Sequence, residues 1–188
     1  MQLNNSKEQT LKKALELVAE TDQEIWLAVR GDSMVPLIRD GDKVLVVLEK
    51  KDIRRGEIVV YQRDGELIFH RLLAVYTKDD GNYQLLTKGD NRLTPDPLVN
   101  FNELTGRAIS IRRGEQQLRL DRSVWQGLNR VVGIAMFGIT RVFLSSQAAR
   151  LRWIGGQPLP VLSFLGKVSQ GFIVLVLRLV GFLFSRWR

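Results

Sequence analysis

The hydrophobic pattern changes period along the chain. Over 6–20, Leu11, Leu15 and Val18 recur at i, i+4 and i+7, and Ser6 with Gln9 three residues on makes a capping box, so the spacing predicts a short helix. From Glu24 to about Leu120 the period drops to two. Ile25–Arg30, Lys43–Leu48, Glu57–Gln62, Leu67–Tyr76, Tyr83–Thr87, Arg107–Ile111 and Gln117–Leu120 are short β-rich runs. Turn signals separate them, among them Gly41-Asp42, Arg55-Gly56, Gly89-Asp90-Asn91 and Arg113-Gly114. Asp64-Gly65, between two alternating runs, predicts a tight hairpin. Many short strands with no helix between them predict a mainly β fold, an antiparallel sandwich or partly open barrel.

From Arg122 the pattern turns helical. Val124–Leu144 and Lys167–Phe184 are apolar and joined through Gly155-Gly156-Gln157-Pro158-Leu159-Pro160, a loop. Arg130, Arg141 and Arg152 are spaced eleven apart, close to three helical turns, so a continuous helix places them on one face. The run Gly171–Phe184 is interrupted by Arg178; at ~1.5 Å per residue it is shorter than a bilayer core of roughly 30 Å. It is expected to lie in the membrane interface, or to reach across only with snorkelling and flanking residues; the alternative is a pair of helices packed on the β-domain or on a second subunit. The expected division is a helix at 1–23, a β-rich domain at 24–121 and apolar basic helices at 122–188.

Charge sharpens this division. The chain carries a net charge of +8, yet no Asp or Glu occurs from Arg122 to Arg188, where nine basic residues stand. The first 121 residues are close to neutral. An apolar, purely basic tail on a neutral domain points to anionic lipid, and no nucleic-acid partner is expected. Trp125, Trp153 and Trp187 near the segment ends fit a membrane interface. The opening residues lack a continuous apolar run, so they are expected to be neither a secretory signal nor a span. With no cysteine, disulfides, thiolate zinc sites and a cysteine nucleophile are excluded, and a single histidine excludes a multi-histidine metal site.

Three segments carry candidate chemistry. In Gly31-Asp32-Ser33-Met34-Val35-Pro36, Ser33 sits at a strand end among turn-forming residues. That placement suits an exposed nucleophile with backbone N–H groups free to face an oxyanion. In Ile68-Phe69-His70-Arg71-Leu72, His70 is the one imidazole base, with Phe69 expected on the opposite strand face. In Thr87-Lys88-Gly89-Asp90-Asn91-Arg92-Leu93-Thr94-Pro95-Asp96-Pro97, either Asp90 or Asp96 is placed to orient an imidazole.

Taken in order, these segments, with Asp40-Gly41-Asp42-Lys43-Val44-Leu45-Val46, Gly56-Glu57-Ile58-Val59-Val60 and Gly106-Arg107, resemble the signal peptidase I family of membrane serine endopeptidases. The match covers Trp26 to Ile111. His70 stands where the usual bacterial enzymes carry lysine, as in the archaeal and endoplasmic-reticulum branch. The resemblance implies that Ser33 is the nucleophile and His70 the general base. It places the functional aspartate at Asp96, with Asp90 matching the aspartate of the turn, and Met34 beside the substrate. Gly31 replaces a serine that often assists the oxyanion, which leaves the Ser33 N–H to do so. Asp32 replaces a glycine, Pro97 replaces the residue after the acidic one, and 122–188 is expected to replace an N-terminal anchor. The implied substrate is the signal or leader peptide of a membrane-bound precursor, with small side chains near the scissile bond and bound as an extended strand. The implied location is the cell membrane, monotopic or C-terminally anchored, with no cofactor and no metal.

Two alternatives share the fold. Gly-Asp-Ser-Met also resembles the self-cleaving domain of SOS-type and phage repressors. Against that stand the roughly 20 residues ahead of the β-region, too few for a helix-turn-helix unit, the histidine in place of a lysine base, and the lack of an Ala-Gly dipeptide. The other is a non-catalytic membrane-bound binding module.

Overall fold

The computed structural model describes residues 24–153 apart from Glu49 and Lys51, together with Gly171. The helix expected at 6–20 lies outside them, as does 167–184 except for Gly171. Eight strands are present: β1 (Glu24–Ala28), β2 (Lys43–Val47), β3 (Ile58–Arg63), β4 (Glu66–Thr77), β5 (Tyr83–Lys88), β6 (Val99–Asn100), β7 (Leu104–Arg113) and β8 (Gln116–Arg119). A helix, α1 (Ser123–Trp153), follows them. The strands form one sheet in the order β1-β2-β7-β3-β4-β5-β6, with β8 paired to β7, and the pairings are antiparallel.

The centre of the sheet is covered on both faces. In β3, Ile58 and Val60 join one apolar cluster with Val44, Val46, Phe69 and Ile111. Val59 and Tyr61 join another with Leu72, Leu85, Val99 and Leu104. A strand buried on both faces reads as a continuous apolar run, which is what Ile58–Tyr61 shows. The β3–β4 hairpin turns through Asp64 and Gly65, at φ +53° and +78°. Left-handed backbone at both central residues matches the right-handed twist of the flanking strands, the reason Asp-Gly is favoured there.

β4 carries the site and also docks the helix. A register shift between Leu72 and Ala74 bulges Leu73. Leu73 and Ala74 then both join Leu86, Val132 and Met136 in the cluster beneath α1. The buried residues of α1, Asn129, Val132, Gly133, Met136 and Thr140, recur every three or four positions and form its inner face. The contact is backbone to backbone. Gly56, at φ +95°, lies under the helix, and a methyl group there would meet Asn129 O at 2.1 Å; one at Gly133 would meet Gly56 Cα at 2.5 Å.

This contact makes the sign of one substitution diagnostic. In a free helix Gly→Ala stabilises by about 1 kcal/mol. Gly133→Ala is instead expected to destabilise by about 2 kcal/mol, because the added methyl is overpacked against the Gly56 backbone. Urea unfolding reads the difference, and a gain in stability would show that α1 does not pack on this turn in solution.

Candidate active site

Two loops and one strand converge. The first loop, 29–42, leaves β1 and returns to β2. Val29 N donates to Asp42 O at 2.8 Å and Gly41 N to Val29 O at 3.0 Å. The buried Asp42 carboxylate accepts from Arg39 N and from Arg113 Nε and Nη2, at 2.6–2.8 Å. Gly31, at φ +88°, donates its N–H to Asp40 Oδ1 at 2.8 Å. These bonds close a turn that leaves Ser33 half-buried. Among the described residues neither the Ser33 N–H nor its hydroxyl is engaged in a hydrogen bond.

The second loop, 89–97, lies against the first. Asn91 N donates to Ser33 O at 2.7 Å, Asn91 Nδ2 to Asp32 O at 3.2 Å, and Asp90 N points at Met34 Sδ at 3.4 Å. Met34, expected beside the substrate, is 2% exposed; it packs in the core and joins the two loops. Asp32 faces solvent, with Arg92 at 3.5 Å.

His70 lies on β4, 7% exposed, on the sheet face that carries Tyr61, while Phe69 enters the opposite cluster. Its Nδ1 is 2.6 Å from Asp96 Oδ2. Thr87 fixes Asp96 twice: Thr87 O accepts from Asp96 N at 2.9 Å, and Thr87 Oγ1 donates to Asp96 Oδ2 at 2.7 Å. The Tyr61 hydroxyl is 3.5 Å from His70 Nδ1, and burial, then the Asp96 charge, pushes its pKa above the ordinary range. The other ring nitrogen and the Ser33 loop meet at a glycine. A methyl at Gly89 would meet Ser33 O at 2.7 Å and His70 Nε2 at 3.0 Å, so both border the small space that Gly89 leaves. A carboxylate at Nδ1 selects the tautomer with its proton there, which leaves the Nε2 lone pair free at the space beside Gly89 that the Ser33 carbonyl also borders.

Asp90 takes another part. It is fully buried and accepts from Arg71 Nε and Nη2 at 2.8 and 2.7 Å. Arg71 Nη1 donates to Gly56 O at 2.7 Å and to Asn129 Oδ1 at 2.8 Å. The two aspartates that the sequence left open thus have separate surroundings, Asp96 on the imidazole and Asp90 on a guanidinium. Arg71, Thr87, Tyr61 and Asn91 were not singled out from sequence. Arg71 had a signal, since a lone charge inside Ile68–Leu73 needs a buried acid.

Lys88 is paired in register with Arg71 and 6% exposed. Among the described residues its ammonium makes no hydrogen bond or ion pair. Burial lowers its pKa, against the attraction of Asp90 and Asp96, while Arg71 lowers it further. Folding therefore disfavours its protonated form, and stability should rise as pH climbs through the depressed folded value toward the ordinary lysine range near ~10.4. Lys88→Met is expected to raise the urea midpoint at neutral pH, by a margin that narrows as pH rises. A variant less stable than the parent at neutral pH would mean that the ammonium has found acceptors.

Comparison with known proteins gives the chain's family. Residues 1–109, more than half of the chain, match the family model described as Peptidase S24-like. The signal peptidase complex catalytic subunit sec11 of Dictyostelium discoideum is 36% identical over 86 residues, 45% of this chain and 48% of that protein. The corresponding SEC11C of Homo sapiens is 37% identical over 87 residues, 45% of each chain, and SEC11 of Yarrowia lipolytica is 37% identical over 86 residues, 45% of this chain and 49% of that one. The chain thus spans about half the length of the curated relatives it matches. With the matched residues reaching from the N-terminus through the Ser33 loop, His70 and the 89–97 loop to β7, the chain belongs to the Peptidase S24-like family, as a member similar to signal peptidase catalytic subunits.

Proposed function

We propose that the chain is a serine endopeptidase that cleaves the signal or leader peptide of membrane-bound precursors. The observation that carries this reading is the 2.6 Å bond from His70 Nδ1 to Asp96, with Nε2 and the Ser33 backbone both bordering Gly89. Ser33 Oγ attacks the scissile carbonyl carbon while His70 Nε2 takes its proton, and Asp96 stabilises the imidazolium that results. The Ser33 N–H, unengaged among the described residues, donates to the oxyanion. His70 then gives the proton to the leaving amine. Water, deprotonated by His70, releases the acyl group from Ser33 as a carboxylate. The residues require no metal or organic cofactor for these steps. Burial of Met34 removes it from the substrate side, so small side chains at the scissile bond would meet the backbone around Gly31 and Ser33.

The names of the relatives favour signal peptides over the repressor and binding-module readings, since all three describe catalytic subunits of a signal peptidase complex. The proposed partners are the precursor and, through residues 122–188, anionic membrane lipid. Among the described residues no helix is long and apolar enough to cross a membrane, and the attachment proposed for α1 is interfacial.

Ser33→Ala and His70→Ala should each lower cleavage of a signal-peptide substrate by about four orders of magnitude, with little further loss in the double variant, because the groups act as a unit. Substantial activity in His70→Ala would overturn the assignment. His70→Lys should also be inactive, since Asp96 would hold the ammonium charged where a lysine base must be neutral.

The two aspartates should separate by readout. Asp96→Asn is expected to cost about a thousandfold or more in kcat/KM while leaving the unfolding midpoint near that of the parent. Asp90→Asn strands the Arg71 charge in the core and should cost about 3 kcal/mol of stability. The reverse pattern would exchange their roles.

A further inference from the structure

The helix that docks on β4 through one face is apolar on the other. Val124, Val131, Ile134 and Val142 are 78%, 64%, 51% and 64% exposed. At 100° per residue they fall within one stripe, with Gly138 between them, directed away from the buried row of Asn129, Val132, Met136 and Thr140. Outward valines and isoleucine reverse the usual arrangement of a surface helix. Arg130 and Arg141, both exposed, run along one edge of the stripe, and the position of Arg152 continues that row because the helix persists to Trp153. No acidic residue occurs anywhere in α1.

We infer that this outer face is the surface by which the protein lies on an anionic bilayer, the valine stripe at the level of the acyl boundary and the arginine row against the headgroups. The inference deepens the proposed lipid contact of residues 122–188 and rests on that reading. A flat orientation follows from the inner face. Asn129 is hydrogen-bonded to the buried Arg71, and Gly133 is in backbone contact with Gly56, so α1 cannot leave the domain to insert end-on. A surface apolar along its length, edged only by cations, matches an anionic interface in both charge and polarity; a protein partner of ordinary composition would leave the arginine row without counter-charge.

The test uses the full chain and vesicles made of equal parts phosphatidylglycerol and phosphatidylcholine, with phosphatidylcholine alone as the comparison. The parent should partition onto the anionic vesicles. Val131→Asp with Val142→Asp should reduce that partitioning by about tenfold or more. Because both side chains point outward, cleavage of a short soluble peptide and the unfolding midpoint should stay unchanged. Arg130→Gln with Arg141→Gln should weaken binding to the anionic vesicles and flatten its salt dependence, with little change on phosphatidylcholine. If the parent binds and the aspartate variant binds equally well, residues beyond 153 carry the contact; the face is then wrongly assigned while the lipid reading of 122–188 stands. If the parent ignores both vesicles, that lipid reading fails as well. If sedimentation shows a dimer that the aspartates dissociate while vesicle binding persists, the stripe is a self-interface and the inference is overturned.

Discussion

Arg71 is a guanidinium with no exposed surface, and four of its donors are taken by acceptors on three other parts of the chain. Two go to Asp90 in the loop after β5, one to Gly56 O in the turn before β3, and one to Asn129 in α1. A buried charge of this kind is tolerated only when paired and fully hydrogen-bonded, and removing one partner typically costs about 3–5 kcal/mol. The pair therefore adds little net stability over an apolar replacement. It excludes every arrangement in which the loop, the turn and the helix are not all in place together. His70 precedes Arg71 on the strand, so the imidazole is fixed by the same residue pair that fixes the loop carrying Asp96.

Asp90 and Asp96 stand six residues apart in one loop, yet the fold makes them chemically different. Asp90 meets a permanent cation that cannot give up its proton, so its carboxylate is locked and inert. Asp96 meets a titratable imidazole and two hydroxyl-bearing residues, Thr87 and Tyr61, at a partly exposed position. Only the second arrangement can stabilise a charge that appears and disappears during a reaction. Asn91 does a parallel task on the other side, holding Ser33 by its carbonyl, so the loop that carries Asp96 also positions the residue proposed as nucleophile.

Much of this was legible in the residues because it rests on short-range rules. Seven of the eight strands, the Asp64-Gly65 hairpin and the helix from Val124 follow from period and turn chemistry alone. β6 was not legible, since its two residues Val99 and Asn100 pair with β5 only because the 89–97 loop returns the chain there. The extension of α1 to Trp153 was not legible from the apolar run ending at Leu144. Met34 was read as lining the substrate side because it neighbours Ser33; the turn instead drives it into the core, where its sulfur meets Asp90 N. Lys88 reads as one more polar residue in a turn motif, and its burial appears only once α1 is packed across β4 and β5.

The helix shows how one element answers to two different solvents. Its inner face is specified by close contact, with glycines on both sides and a single amide reaching Arg71. Such a face tolerates neither added volume nor lost polarity. Its outer face is specified by composition alone, apolar with an edge of arginines and no acid. In water that composition brings no benefit and invites self-association. A sequence keeps such a surface at no loss only where something other than water covers it. Because the inner face is bonded to the residue next to His70, whatever covers the outer face is tied through α1 to the proposed Ser33–His70 site. For the proposed peptidase, whose substrate would itself be held in a membrane, that tether raises the effective concentration of the scissile bond without altering the chemistry proposed at Ser33.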